Sequence, residues 1–117
     1  MAYCTADDVK KYSQVTFDQL GFSNDDEFTT WLTDVLIPRA EAMIQGYCNQ
    51  SFTTVPADVT DVCARLCANA LQVMILNRSG PLVRVGDYRI EWADRTVFTD
   101  DLRHLLARYV KASIEYA

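Results

Sequence analysis

Histidine, glycine and proline are scarce in this chain of 117 residues, and two of these shortages exclude classes of function. A single histidine, His104, and the lack of a Gly-x-Ser-x-Gly turn leave little from which to build a nucleophile with its base. The four glycines are scattered, so the sequence offers no glycine-rich loop to cradle a phosphate. Paired carboxylates do occur, but each pair falls at a predicted helix start, where helix capping accounts for it. The sequence therefore predicts a protein that is not an enzyme and uses no cofactor.

Long apolar runs and a secretory leader are also missing. No apolar run approaches the roughly 20 residues that a membrane-spanning helix needs. Residues 1–8 lack the basic start and the apolar segment of a secretory signal. We therefore expect synthesis in a cytoplasm and no association with a membrane.

The four cysteines are predicted to be reduced core residues. A cytoplasmic protein seldom contains disulfides, and free cysteine is among the most buried residue types. Cys63 and Cys67 share one helix face, but their spacing is not the paired spacing typical of zinc sites. Neither Cys4 nor Cys48 has a neighbouring cysteine or histidine in the sequence. The sequence therefore predicts no metal ligand, with a cysteine metal or redox protein as the less favoured interpretation.

Positive charge is in short supply and unevenly distributed. The net charge is −5, whereas a protein that binds duplex DNA usually carries clustered lysine and arginine. Residues 1–61 hold ten acidic and three basic residues, a net charge of −7, while residues 62–117 hold six and eight, a net charge of +2. Such a dipolar subunit is suited to head-to-tail pairing with a second copy; an asymmetry of this kind also arises by chance in small domains.

The most informative segment is 58–76, which is apolar except for one stripe. The polar residues recur every three or four positions and so share one helix face: Asp58, Asp61, Arg65, Asn69 and Gln72. A helix with a single polar stripe is enclosed on its other sides. We therefore expect a central third helix surrounded by other helices or by other subunits.

Two helices are predicted before this one. The first begins at its N-cap Thr5 and ends near Ser13. The second runs from about Asn24 to Cys48, and its apolar face turns by roughly 80–100° near Pro38, counting 100° per residue. Proline removes a helical hydrogen bond, so we expect a kink there, with one half of the helix facing the core and the other facing a neighbouring subunit.

A β-hairpin and a fourth helix are predicted at the carboxyl-terminal end. Residues 83–92 alternate apolar and polar side chains around Gly86 and Asp87, which suit a two-residue turn. The last helix begins at Thr99 and is predicted to continue to the end of the chain. The fold class is therefore mainly α: one domain over residues 1–117, with four helices, a kinked second helix, an apolar third helix and a small hairpin.

Five stretches, in this order and spacing, carry a resemblance to a known family. They are Tyr3-Cys4-Thr5-Ala6-Asp7-Asp8-Val9-Lys10, the run from Ile37-Pro38-Arg39-Ala40 to Gln45-Gly46-Tyr47, Phe52 with Pro56-Ala57-Asp58-Val59, Val85-Gly86-Asp87-Tyr88, and Leu105-Leu106-Ala107-Arg108-Tyr109. Together they make the chain resemble the head–tail connector proteins of long-tailed phages, also called adaptor or head-completion proteins. The four cysteines and Pro38 are departures from the pattern of that family.

The resemblance implies a structural virion protein of the phage neck. Such subunits are made in the host cytoplasm and form a homo-oligomeric ring, commonly twelvefold, beneath the portal protein. The ring extends the DNA channel, through which DNA passes without specific binding, and docks the stopper or tail-completion protein. The family has no fixed catalytic or ligand motif, so the resemblance implies no site residues.

Basic side chains of the hairpin and the last helix are the candidate interface for acidic partner surfaces. They are Arg84, Arg89, Arg103, Arg108 and Lys111. In the alternative interpretation, a small helical nucleic-acid-binding or regulatory module, the same residues would form one basic patch that binds phosphates.

Overall fold

A computed structural model describes residues 3–77 and 97–110, and this part of the chain is mainly helical. The α-helices of these two ranges are α1 (Ala6–Ser13), α2 (Asp25–Trp31), α3 (Ile37–Cys48), α4 (Ala57–Asn77) and α5 (Asp100–Leu106). A π-helical turn, Leu32–Leu36, joins α2 to α3, so the predicted long second helix is continuous from Asp25 to Cys48. Short 3-10 helices lie at Phe17–Leu20 and Ala107–Tyr109.

Helix α1 begins and ends where the sequence predicts. The Thr5 hydroxyl accepts a hydrogen bond from the Asp8 amide at 3.2 Å, and the Asp8 carboxylate accepts one from the Thr5 amide at 3.1 Å. This reciprocal capping box satisfies two amides that the first turn leaves unpaired. At the other end Gln14 takes a left-handed conformation, with φ 58°, which stops the helix.

The irregularity predicted at Pro38 takes the form of the π-helical turn just before it. The Ile37 amide donates to the Leu32 carbonyl, five residues back instead of four. Such a turn holds about one extra residue, which is about 100° of helical phase. The apolar face of the sequence changes direction by about the same angle. The π turn therefore cancels the change and brings both apolar faces to the same side.

The expectation that the two halves of this helix face different neighbours is therefore wrong. Phe28 and Leu32 before the π turn, and Leu36 and Ala40 after it, are all at most 1% exposed. All four belong to one hydrophobic cluster. Both halves therefore pack into the core of the same subunit.

Helix α4 is the central helix, as predicted, and the chain itself encloses it. It packs against α1, α3 and α5. Its buried face consists of Val59, Val62, Cys63, Ala64, Leu66, Cys67, Ala68, Ala70, Leu71 and Met74. Among the residues that the structure describes, the large apolar side chains classed as exposed are Tyr12, at 47%, and Val110, at 43%. Over the described ranges, helices of the same chain therefore surround α4, which is the first of the two arrangements that its single polar stripe predicts.

The last helix is shorter than predicted. It starts after Thr99 and buries Leu102 and Leu106, as the spacing indicates. It then tightens into the 3-10 helix, and Val110 is extended, with ψ 124°. The prediction of a helix running on without a break is therefore wrong at Val110, and residues 111–117 lie outside the described residues.

The predicted hairpin at 83–92 also lies outside the described residues, and residues 3–77 and 97–110 contain no strand. None of the helices in those two ranges is long and apolar enough to cross a membrane.

Candidate functional site

Two of the five predicted interface residues, Arg103 and Arg108, fall within the described ranges. Arg103 packs onto its own subunit: its Nε donates to the Phe98 carbonyl at 3.0 Å, and its guanidinium lies 4.5 Å from the centre of the Phe98 ring. The same guanidinium lies 5.9 Å from the centre of the Tyr47 ring on α3. This arginine therefore helps to fix the start of α5 against α3.

Arg108 is more accessible, and it also has an acidic partner within the subunit. Its Nη2 lies 2.8 Å from Asp58 Oδ2 at the start of α4, while 69% of the arginine side chain remains exposed. The Tyr109 hydroxyl donates to the same carboxylate oxygen at 3.4 Å. Arg84, Arg89 and Lys111 lie outside the described residues, so a patch of all five basic residues stays a prediction.

A second set of polar side chains lies in a cleft between α1, α4 and α5. The Tyr12 hydroxyl donates to Asp61, Arg65 Nε pairs with the same carboxylate at 3.1 Å, and the guanidinium lies 5.6 Å from the centre of the Tyr12 ring. The cleft has a volume of about 290 Å³ and is lined by Tyr12, Arg65, Ala68, Asn69, Thr99, Asp101 and Leu102.

The polar side chains of this cleft are hydrogen-bonded to one another or to nearby backbone. The hydrogen bond to the Asp61 carboxylate raises the pKa of Tyr12, because losing the phenolic proton would set two anions side by side. A hydrogen bond from the Thr99 hydroxyl lowers the pKa of Asp101. Asn69 Nδ2 donates to the Val97 carbonyl at 2.9 Å, which ties α4 to the segment before α5. The stripe of α4 thus joins helices, and its geometry indicates a structural role.

A third set of side chains consists of cysteine thiols, which only the tertiary structure brings together. The sulfur atoms of Cys4, Cys63 and Cys67 all lie within 4.8 Å of one another. Cys63 and Cys67 are one turn apart on the buried face of α4 and are both 0% exposed. Cys4 precedes α1 and is 4% exposed.

Tyr3 explains how Cys4 reaches α4. The Tyr3 amide donates to Glu41 Oε2 on α3 at 2.7 Å. Its hydroxyl accepts hydrogen bonds from Gln45 Nε2 at 2.8 Å and from the Phe52 amide at 3.2 Å. With Tyr3 fixed on one side and the Thr5 cap on the other, the Cys4 backbone has little freedom, and its side chain is held against α4.

The three thiols are close enough to change one another's ionisation. Hydrogen bonds from Cys63 and then from Cys67 lower the pKa of Cys4 to about 5, against the opposing effects of burial and Asp8. The same contacts with Cys4 raise the pKa of Cys63 and the pKa of Cys67, and burial adds to both. The contacts among the thiols therefore favour a state in which one sulfur is ionised and the others stay protonated.

Sequence reasoning missed this cluster because its members are remote in sequence. The spacing of Cys63 and Cys67 was the available signal, since residues four apart share a helix face. Nothing near Cys4 indicates which face it meets, because that depends on the anchoring of Tyr3 on α3.

In comparisons with known proteins, no family model, no curated protein and no solved structure matches this chain.

Proposed function

We propose that this protein is a structural subunit of a head–tail connector ring. The observation that carries the proposal is the order of the stretches that resemble the connector family. Within the described ranges those stretches fall at structural boundaries: Thr5 caps α1, Ile37 begins α3, Ala57 begins α4, and Tyr109 ends the last 3-10 helix. The stretches that carry the resemblance therefore include the positions at which these helices begin or end.

The polar groups of the described residues also favour a scaffold. The two arginines, the Tyr12 cleft and the capping carboxylates make contacts that hold helices together. A catalyst instead needs a nucleophile, a base and an orienting group around a space for a substrate. The groups in the cleft are satisfied by their neighbours, which supports an architectural role.

The charge distribution supports a ring. In a ring, one face of each subunit meets a different face of the next. A chain with a net charge of −7 over residues 1–61 and +2 over residues 62–117 can pair those faces by opposite charge. An acidic total also suits a channel through which DNA slides without binding.

Assembly of the full chain tests the proposal. We expect a ring of subunits by light scattering and electron microscopy, either for the purified protein alone or after addition of portal rings. A protein that stays monomeric alone and does not bind portal rings would contradict it. Salt-dependent affinity for DNA would instead favour the nucleic-acid-binding module.

Charge variants locate the interface. We expect Arg84→Ser with Arg89→Ser to weaken assembly if the predicted hairpin binds an acidic partner. The matched control is Lys11→Ser, because Lys11 is an exposed base in the acidic half of the chain. In the register predicted for the hairpin, Arg84 faces Arg89 on the exposed face, where two unpaired guanidinium groups repel each other. Unchanged assembly together with higher stability would mean that the two arginines only repel each other and bind no partner.

A further inference from the structure

The thiol cluster has the chemistry of a metal site. Thiolate sulfur is a soft ligand that selects d10 ions such as Zn²⁺ and Cu⁺. Two side chains four residues apart on a helix can bind the same ion, as the paired histidines of zinc-binding helices do. Cys63 and Cys67 have this arrangement on α4, and Cys4 supplies a third sulfur from a different segment.

The distances are close to those of a loaded site. Two thiolates bound to one Zn²⁺ at about 2.3 Å in tetrahedral geometry are about 3.8 Å apart. The three sulfur atoms already lie within 4.8 Å of one another, so small side-chain rotations bring them into range. The three cysteines are at most 4% exposed, so solvent has little access to their sulfurs. The carboxylates of Asp8 and Glu41 lie close enough to raise the pKa of Cys4 and of Cys67, respectively. These carboxylates add negative charge beside the site, which also favours a bound cation.

We propose that Cys4, Cys63 and Cys67 form a three-thiolate site for a thiophilic d10 cation, either Zn²⁺ or Cu⁺. Binding releases to solvent the protons that the thiols still carry, as three metal–sulfur bonds form, and no electron is transferred. Zn²⁺ takes a fourth ligand, such as water, in its remaining position, whereas Cu⁺ is satisfied by three sulfurs.

A metal at this position fastens the amino-terminal segment to the central helix. Cys4 and Cys63 are separated by most of the first half of the chain, so the ion closes a long loop and restricts the unfolded chain. The site goes beyond the connector role and does not depend on it. At a free metal concentration 100 times Kd, the melting temperature is expected to rise by about 10 °C.

The test uses the full chain, reduced and freed of metal with a chelator. One arm adds Zn²⁺, with Co²⁺ as its spectroscopic substitute, and the other adds Cu⁺ under argon. We expect one ion per chain in at least one arm, with thiolate-to-metal charge-transfer absorption for Co²⁺ or Cu⁺. The arm that retains stoichiometric metal after desalting identifies the ion.

Cysteine variants assign the ligands. Cys4→Ala is expected to lower the metal affinity at least about 100-fold, since it removes one of three ligands. It lies outside the helices, so the fold is expected to persist, which circular dichroism checks. Cys48→Ala is the matched control: Cys48 is buried like Cys4, at 0% against 4% exposed, but it lies outside the cluster, and its loss should leave the affinity unchanged.

Three results would overturn the proposal. The first is the absence of stoichiometric metal in both arms. The second is equal loss of affinity in the Cys4 and Cys48 variants. The third is a disulfide within the cluster in air-purified protein that still binds no metal after reduction. If Cys4→Ala fails to fold, the intensity of the Co²⁺ charge-transfer band in the unmodified protein decides the matter, because it reports the number of thiolate ligands.

Discussion

The two sides of α4 differ in how they hold the protein together. The apolar side is buried by α1, α3 and α5 and contains the paired cysteines. The polar stripe lies at the helix junctions, where each of its side chains contacts a particular partner: Asp58 with Arg108, Asp61 and Arg65 with Tyr12, Asn69 with Val97 and Gln72 with Ser13. Burial is roughly proportional to area and non-directional, whereas hydrogen bonds require exact placement. The apolar side therefore supplies most of the stability, and the stripe fixes how the helices are arranged.

The largest effect is expected from the apolar side. Leu66→Ala removes a fully buried side chain, and it should lower the free energy of unfolding by about 2–5 kcal/mol, since the cavity cannot close completely. Chemical denaturation measures this change. Val110→Ala is the control, because Val110 is 43% exposed and should cost less than about 0.5 kcal/mol. Similar losses in both variants would remove the distinction between the buried and the exposed positions.

A buried carbonyl makes Asn69 the most sensitive position in the stripe. Asn69→Ala leaves the carbonyl of Val97, a residue only 1% exposed, without this donor, and we expect a loss of about 1–3 kcal/mol. Gln72→Ala removes the donor to the carbonyl of Ser13, a residue that is 5% exposed, but Gln72 itself is exposed. Water can therefore enter where the Gln72 amide was, so the loss should stay below about 1 kcal/mol. Denaturation of the two variants side by side checks the order. A larger loss for Gln72 would mean that the exposure of the donor side chain does not set the cost.

The ion pair between Asp58 and Arg108 should contribute little to folding. Because 69% of the Arg108 side chain and 38% of the Asp58 side chain are exposed, solvent screens the pair, and Arg108→Ser should cost at most about 0.5 kcal/mol. Its effect on assembly is the sharper measurement. If Arg108 binds an acidic surface of a neighbour, light scattering will show weaker assembly at unchanged stability. Loss of stability without a change in assembly would mean that Arg108 acts only within its own subunit.

The smallest effect concerns the ionisation of Tyr12. The hydrogen bond to Asp61 raises the pKa of Tyr12 in the folded protein, so its stabilising contribution is complete below the ordinary tyrosine pKa of about 10 and is lost as the pH rises through the folded value. Titration by NMR should show Tyr12 ionising later than an exposed tyrosine. In Asp61→Asn the pKa should fall towards its ordinary value. An unshifted Tyr12 in the unmodified protein would contradict the contact.

Local chemistry explains which features the sequence predicted correctly. The limits of α1 follow from the Thr5 and Asp8 box, and the burial of α4 follows from the spacing of its polar residues. The π turn before Pro38 was only half predictable. Pro38 lacks a backbone amide, and this indicated an irregularity in the helix. The apolar pattern, however, fits either a kinked helix with two apolar faces or a π turn that leaves a single apolar face. Packing of both halves into one core decides between them.

The sequence by itself determined where helices α1 and α4 lie and which side of α4 is buried, because capping and periodicity act between residues a few positions apart. Only the tertiary structure decided that one copy encloses α4, that Arg103 packs on Phe98, and that Cys4 meets Cys63 and Cys67. Those contacts join residues distant in the chain, and their positions are set by the packing of the helices between them.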